Sequence, residues 1–168
     1  MKILLTGATG YIAQRLLPVL VDAGHTIVCC VRDVERFYIH DDWTTQVAKI
    51  EVDFLKPESL ANIPLDIDVA YYLIHSMSTS SGDFSEMEQR SAQNFVKRIE
   101  ETNVKQIIYL SGIVNEAHLS KHLQSRKNVE IILAESKIAL TTLRAGIIVG
   151  LGSASFEIMR VWLKNCPL

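Results

Sequence analysis

The stretch Thr6-Gly7-Ala8-Thr9-Gly10-Tyr11-Ile12-Ala13 holds the residues best suited to chemistry. It follows an apolar run, Ile3-Leu4-Leu5, and opens an amphipathic one. Gly7 permits a tight turn. Gly10 removes the Cβ that would keep a backbone away from a pyrophosphate, and Ala13 is small enough for a helix to pack on a strand. The start of the helix offers free N–H groups and a positive dipole end to phosphate oxygens. Thr9, Tyr11 and Ile12 complete the expected contact surface. Two glycines in a turn are a weak signal alone. Here the turn lies between a strand and a helix and begins a repeated β–α–β pattern, the context the motif requires. A dinucleotide site is the expectation, with a purely structural strand–helix turn as the alternative.

Four further positions follow apolar runs. After the second run comes Cys30-Val31-Arg32-Asp33. An acid there would bind a ribose 2′-OH, whereas an arginine accommodates a 2′-phosphate. Arg32, with its fork of donors, therefore favours NADP(H), and NAD(H) stays open. The alternative is an exposed arginine in the company of Asp33. After the third run, Asp53 is placed to accept from an adenine amino group, with Phe54 or Leu55 near the ring. A turn cap before Pro57 is the competing reading. After the fourth, His75 is the first titratable group along this wall. A histidine can titrate near neutral pH, although a lone one is more often structural. After the fifth comes Ser111-Gly112, where a nicotinamide would lie.

These positions need elements to hold them. Apolar runs at 3–6, 26–31, 47–52, 67–74, 104–110 and 139–143 read as strands. Helical periodicity covers 10–23, with Ile12, Leu16, Leu17, Leu20 and Val21 on one face and Gly24 as its stop. It covers 84–102, 120–135 with Ser120 as a cap, and 156–164, with a short helix near 58–61. Strands that read as continuous apolar runs and alternate with helices imply a parallel sheet covered on both faces. The α/β doubly wound sheet of the Rossmann fold follows. Such sheets bind ligands beyond the carboxyl ends of their strands, where the residues above fall.

At 168 residues the chain fits one domain, 1–168. With 48% hydrophobic and 21% charged residues it has the composition of a soluble globular protein with a core. A formal net charge of −2 argues against nucleic acid as a partner. The N-terminal apolar run is too short for a signal peptide or a membrane span, so no integral membrane segment is expected. The adjacent Cys29-Cys30 lacks metal-ligand spacing, and no metal site is expected. Three cysteines without a disulfide framework suit a reducing cytoplasm. No repeat or low-complexity segment is visible.

The glycine turn and strand spacing resemble the short-chain dehydrogenase/reductase superfamily, and its atypical extended branch most of all. That branch includes NmrA-like and nucleoside-diphosphate-sugar epimerase-like proteins. Val31-Arg32-Asp33, Asp68-Val69-Ala70-Tyr71-Tyr72-Leu73-Ile74-His75-Ser76-Met77 and Leu143-Arg144-Ala145-Gly146-Ile147-Ile148-Val149-Gly150 carry the likeness across essentially the whole chain. The resemblance implies NAD(P) binding and, in active members, a Tyr-x-x-x-Lys pair on the helix after strand five. No such pair is present there. If Glu130 matches the glutamate that often follows the pair, its two positions are held by His122 and Arg126. Histidine can still move a proton, and Arg126 would meet a ribose hydroxyl or phosphate as a fixed cation. The alternative is an exposed charged stripe at helical spacing. Ser111 stands near the family's serine position, with Gly112 as the competing match.

Extended members continue beyond the point where this sequence stops, so it reads as a truncated or shortened form. The apolar residues Phe156, Met159, Val161, Trp162 and Leu163 would then fold over the sheet or join copies in a homo-oligomer. Two functions remain open. One is an NADP-dependent oxidoreductase or epimerase acting on an unidentified small molecule, with His122 or His75 supplying a proton. The other is a non-catalytic NADP(H)-binding redox sensor or regulatory module. A bare scaffold with a vestigial turn is the third outcome.

Overall fold

The computed structural model describes residues 1–75, 84–113, 120–153, 156–158 and 160–161, and only the backbone of Phe84, Lys121 and His122. Six strands form one sheet: β1 (Lys2–Leu5), β2 (Thr26–Val31), β3 (Val47–Glu51), β4 (Val69–Tyr72), β5 (Gln106–Gly112) and β6 (Ala139–Ala145). Every pairing is parallel, in the order β3-β2-β1-β4-β5-β6. The expected Rossmann class is the observed one. The order reverses between β1 and β4, which places the ligand crevice beside the end of β1.

The strand alternation divides the core in two. Ile3, Leu5, Ile27, Cys29, Val31 and Val47 point to one face. There they meet Ala13, Leu17, Leu20 and Val21 of helix α1 (Tyr11–Asp22). Leu4, Val28, Ala70, Tyr72, Ile107 and Tyr109 point to the other. They pack on Ala92, Phe95 and Ile99 of α2 (Phe84–Ile99) and on Val129 and Leu133 of α3 (Lys121–Ala134). Removing such side chains from water contributes roughly 1.5–3 kcal/mol each, so both layers are fixed by the strand pattern itself. Cys29 and Cys30 are free and buried, one on each face. Burial pushes the Cys29 thiol up to about 12 and raises that of Cys30 as well. They serve as small core residues.

The helix ends follow from local chemistry. Gly24 takes φ +78° just past α1. Its N–H donates to Val21 O at 2.8 Å and that of His25 to Leu20 O at 3.1 Å, which satisfies two terminal carbonyls. The Ser120 hydroxyl accepts from Leu123 N at 3.3 Å, the expected cap.

Several boundaries differ from expectation. β4 covers four residues instead of 67–74, because Thr6 takes over its ladder at the carboxyl end. The Thr6 hydroxyl donates to Tyr71 O at 2.9 Å and accepts from Leu73 N at 3.0 Å. The short helix near 58–61 is a 3-10 segment, Pro57–Asn62. α2 stops at Ile99, where Thr102 turns its N–H and hydroxyl back onto the Ile99 carbonyl. Residues 156–158 and 160–161 are helical, capped by Ser153, whose hydroxyl accepts from Phe156 N at 3.1 Å. Met159, Trp162 and Leu163 lie outside the described residues. No described helix is long and apolar enough to cross a membrane.

Candidate functional site

The first residue of the site is one the motif did not single out. Thr6, fully buried, joins the end of β1 to β4 by the two hydroxyl bonds above and by its N–H to Tyr71 O at 3.1 Å. That closure presses Gly7 against β4. Gly7 sits at φ +62°, and a Cβ there would stand 2.6 Å from Leu73 O and 2.9 Å from its carbonyl carbon. Conformation and close approach therefore both demand glycine. Gly10 donates to Gly7 O at 2.8 Å and closes the turn. Among the described residues a Cβ on Gly10 would meet only Gly7 O, at 3.0 Å, which leaves its outward side open to them.

The start of α1 is left bare. Gly10 offers no side-chain cap, and the first turn holds no acid. Its free N–H groups face the exposed Thr9-Gly10 corner. A helix end with neither cap nor carboxylate suits an anion. Ala13, 1% exposed, lets the helix lie against the sheet. Ile12 and Tyr11 are half-buried. The open Gly10 face and the uncapped amides are a cradle that fits a pyrophosphate.

A turn after β6 leans on this cradle. The Tyr11 hydroxyl fills the place of a Gly150 side chain, 2.3 Å from where its Cβ would be. Arg15 reaches Leu151 O at 2.9 Å and lies 5.5 Å over the Tyr11 ring. Nothing in local periodicity signals that contact, since 136 residues separate Arg15 from Leu151.

The neighbouring strand ends carry the other expected residues. Arg32 is exposed, and among the described residues its guanidinium makes no ion pair or hydrogen bond. Asp33 does not pair with it: its carboxylate accepts from the N–H groups of Glu35 and Arg36 at 3.0 and 3.3 Å. Asp53 is the turn cap: its Oδ1 accepts from Leu55 N at 3.0 Å, and Ser59 bridges its N–H and carbonyl. The Phe54 ring is 6% exposed and lies tilted on Phe95 at 5.8 Å, among the core side chains. Leu55 remains half-buried beside it.

His75 continues the Leu73 segment that passes Gly7, and it is half-buried. Burial, helped by the Arg126 charge, lowers its pKa to about 4. It is neutral at physiological pH. Arg126 is not part of a solvated stripe. It is half-buried, and a Cβ on Gly112 would lie 3.8 Å from its Cδ and Nη1. Glu130 pairs instead with Arg144 of β6 at 2.7 Å. The backbone of His122 lies in the first turn of α3, and its side chain is outside the described residues.

Ser111 is fully buried, and among the described residues its Oγ has no hydrogen-bond partner at ordinary geometry. Such an orphan is uncommon in a folded interior. The nearby Tyr109 donates to Arg126 O at 3.2 Å. Burial pushes its phenol up to about 12, against the opposing pull of Ser111 and Arg126. It is no acid–base group at neutral pH. Ser125 donates to the buried Glu88 carboxylate and ties α3 to α2 behind this wall. Among the described residues, no cluster of His, Cys, Asp or Glu is placed to hold a metal ion.

Comparison with known proteins bears on the family and the fold. The Photosystem II assembly factor Ycf39 of Synechocystis sp. is 24% identical over all of this chain, which spans 53% of that relative's length. The triphenylmethane reductase of Citrobacter sp., solved with NADP(H), superposes with a TM-score of 0.71 at 23% identity, over 86% of this chain and 49% of that one. A nucleoside-diphosphate-sugar epimerase of Staphylococcus aureus gives 0.69 at 24% identity, over 86% and 50%. This chain thus spans about half the length of each, and the structural likeness is one of fold. A family profile described as NAD(P)H-binding matches residues 7–150, from the glycine turn to the residue that seats Tyr11. The chain belongs to the NAD(P)H-binding family.

Proposed function

We propose that the domain prefers NADP(H), and that Arg32 is the residue that selects it. The free Arg32 guanidinium beyond β2 carries this reading. It follows the strand next to the glycine turn, and the adjacent Asp33 carboxylate is engaged by the Glu35 and Arg36 amides. Gly7, Thr9, Gly10, Tyr11 and Ile12 would hold the pyrophosphate. Asp53 keeps one carboxylate oxygen for the adenosine side. His75, Ser111 and Arg126 line the nicotinamide side, with Arg126 as a fixed cation for a ribose hydroxyl or phosphate. Bound there, the cofactor would supply or accept a hydride. Neutral His75 would donate or accept a hydrogen bond only.

The reaction we favour is that of an oxidoreductase or epimerase-like enzyme on a small molecule, in a reducing cytoplasm. His122 is its remaining candidate for proton transfer. The absence of a Tyr-x-x-x-Lys pair on α3 supports a second reading, a cofactor-binding sensor or regulatory module without turnover. NADPH oxidation across a panel of carbonyl substrates separates the two. Turnover that falls at least tenfold in His122→Ala supports the enzyme. Tight NADPH binding with no turnover supports the sensor.

A further inference from the structure

The loop after β2 carries a second arginine, and a lysine from β3 shapes that loop. Phe37 N donates to Val34 O at 3.4 Å and closes a turn with Glu35 and Arg36 at its corners. Asp33 holds the amides of both corner residues. Lys49 Nζ donates to the two carbonyls that bracket the corner, Val34 O at 2.7 Å and Phe37 O at 3.3 Å. Phe37 is buried in the same core layer as Val31 and Val47. The turn is thus anchored by packing on one side and by an ammonium on the other. Arg36 is exposed at its corner and, like Arg32, makes no ion pair or side-chain hydrogen bond among the described residues.

We propose that Lys49 is a positioning residue for an adenosine 2′-phosphate: it holds the Val34–Phe37 turn so that Arg36 joins Arg32 in receiving that group. The inference rests on the NADP(H) reading above. A dianionic phosphate with three acceptor oxygens suits two guanidinium forks better than one. Asp33 accepts from backbone amides and, among the described residues, forms no ion pair with either arginine. A loop held in place before binding avoids the ordering cost that a slack one meets on binding. Without Lys49, the Val34 and Phe37 carbonyls lose a donor, and the turn that carries Arg36 loses one of its anchors.

The test uses the full chain and calorimetric titration with NADPH, NADH and the fragment 2′,5′-ADP. Lys49→Met is expected to weaken NADPH and 2′,5′-ADP by about tenfold and NADH by less than twofold. Arg36→Ala should do the same, and Lys49→Arg should restore most of the loss. Thermal melts check folding, and Lys49→Gln replaces Lys49→Met if the latter does not fold. Equal losses for NADPH and NADH, or no loss, overturn the role of Lys49. If the wild type prefers NADPH and Arg32→Ala abolishes the preference while Lys49→Met leaves it, this inference alone fails. If the wild type binds both cofactors equally, the NADP(H) reading fails and this one with it.

Discussion

The carbonyl oxygen of Leu73 occupies the space that a side chain on Gly7 would need, 2.6 Å from the position of its Cβ. The obstacle is backbone, which cannot rotate away. Gly7 also has φ +62°, where an L-residue costs about 1–2 kcal/mol. Gly7→Ala should therefore destabilise the fold by at least about 2 kcal/mol, the sum of strain and displaced β4 backbone. NADPH affinity of the folded fraction should fall as well. Urea unfolding and calorimetry measure the two, and an unchanged midpoint would contradict the packing described.

Phe54 should behave as a core residue. Phe54→Ala is expected to cost about 3–5 kcal/mol of stability, the range for a buried aromatic. Cofactor affinity per folded molecule should change less than twofold. A large, selective loss of affinity with little loss of stability would return Phe54 to the adenine pocket.

Gly150 and Tyr11 should be coupled. Gly150→Ala forces the Tyr11 ring off its seat, at an expected cost of about 1 kcal/mol, the order found for overpacked contacts. Tyr11→Phe removes the oxygen that blocks the new methyl group. In a double-mutant cycle the two changes should interact by at least about 0.5 kcal/mol, since the residues touch. Additive effects would mean that the turn after β6 is not seated on the glycine helix.

His75 gives a pH signature. Its folded pKa, about 4, lies below the ordinary value of 6.5. Between these values the unfolded chain binds more protons than the folded one. Stability should therefore fall as pH drops from 6.5 towards 4 and level off below. The full effect is on the order of 2–3 kcal/mol after allowance for partial exposure. His75→Gln should flatten that part of the profile of urea midpoint against pH. A resonance for His75 that titrates near 6.5 in the folded state would contradict the burial and the Arg126 neighbourhood.

The β–α alternation was legible where strands are short apolar runs, as in β1 and β2, and helices carry a 3.6-residue stripe, as in α1. Gly7, Gly10 and Ala13 were legible because their chemistry is local. The packing of Phe54 on Phe95 was not, because the two rings come from distant parts of the chain. Asp53 was ambiguous because one carboxylate can cap a turn and still face a ligand. Thr6, Lys49 and the Gly150 turn were missed because their contacts lie far along the chain. Thr6 binds β4 across 65 residues, and a hydroxyl that replaces a strand ladder has no sequence pattern. The exposed-stripe alternative for Arg126 arose because its spacing to Glu130 is that of a helical ion pair. In three dimensions Glu130 turns to Arg144 instead.

The choice between cofactors tests the account most directly. Calorimetric titration of wild type and Arg32→Ala with NADPH and NADH isolates the one group that distinguishes them. The wild type should bind NADPH at least tenfold more tightly. Arg32→Ala should lose about tenfold to a hundredfold in NADPH affinity, the worth of a charge-assisted contact, and leave NADH within twofold. Equal wild-type affinities, or an Arg32→Ala variant that keeps its NADPH preference, would contradict the assignment of Arg32.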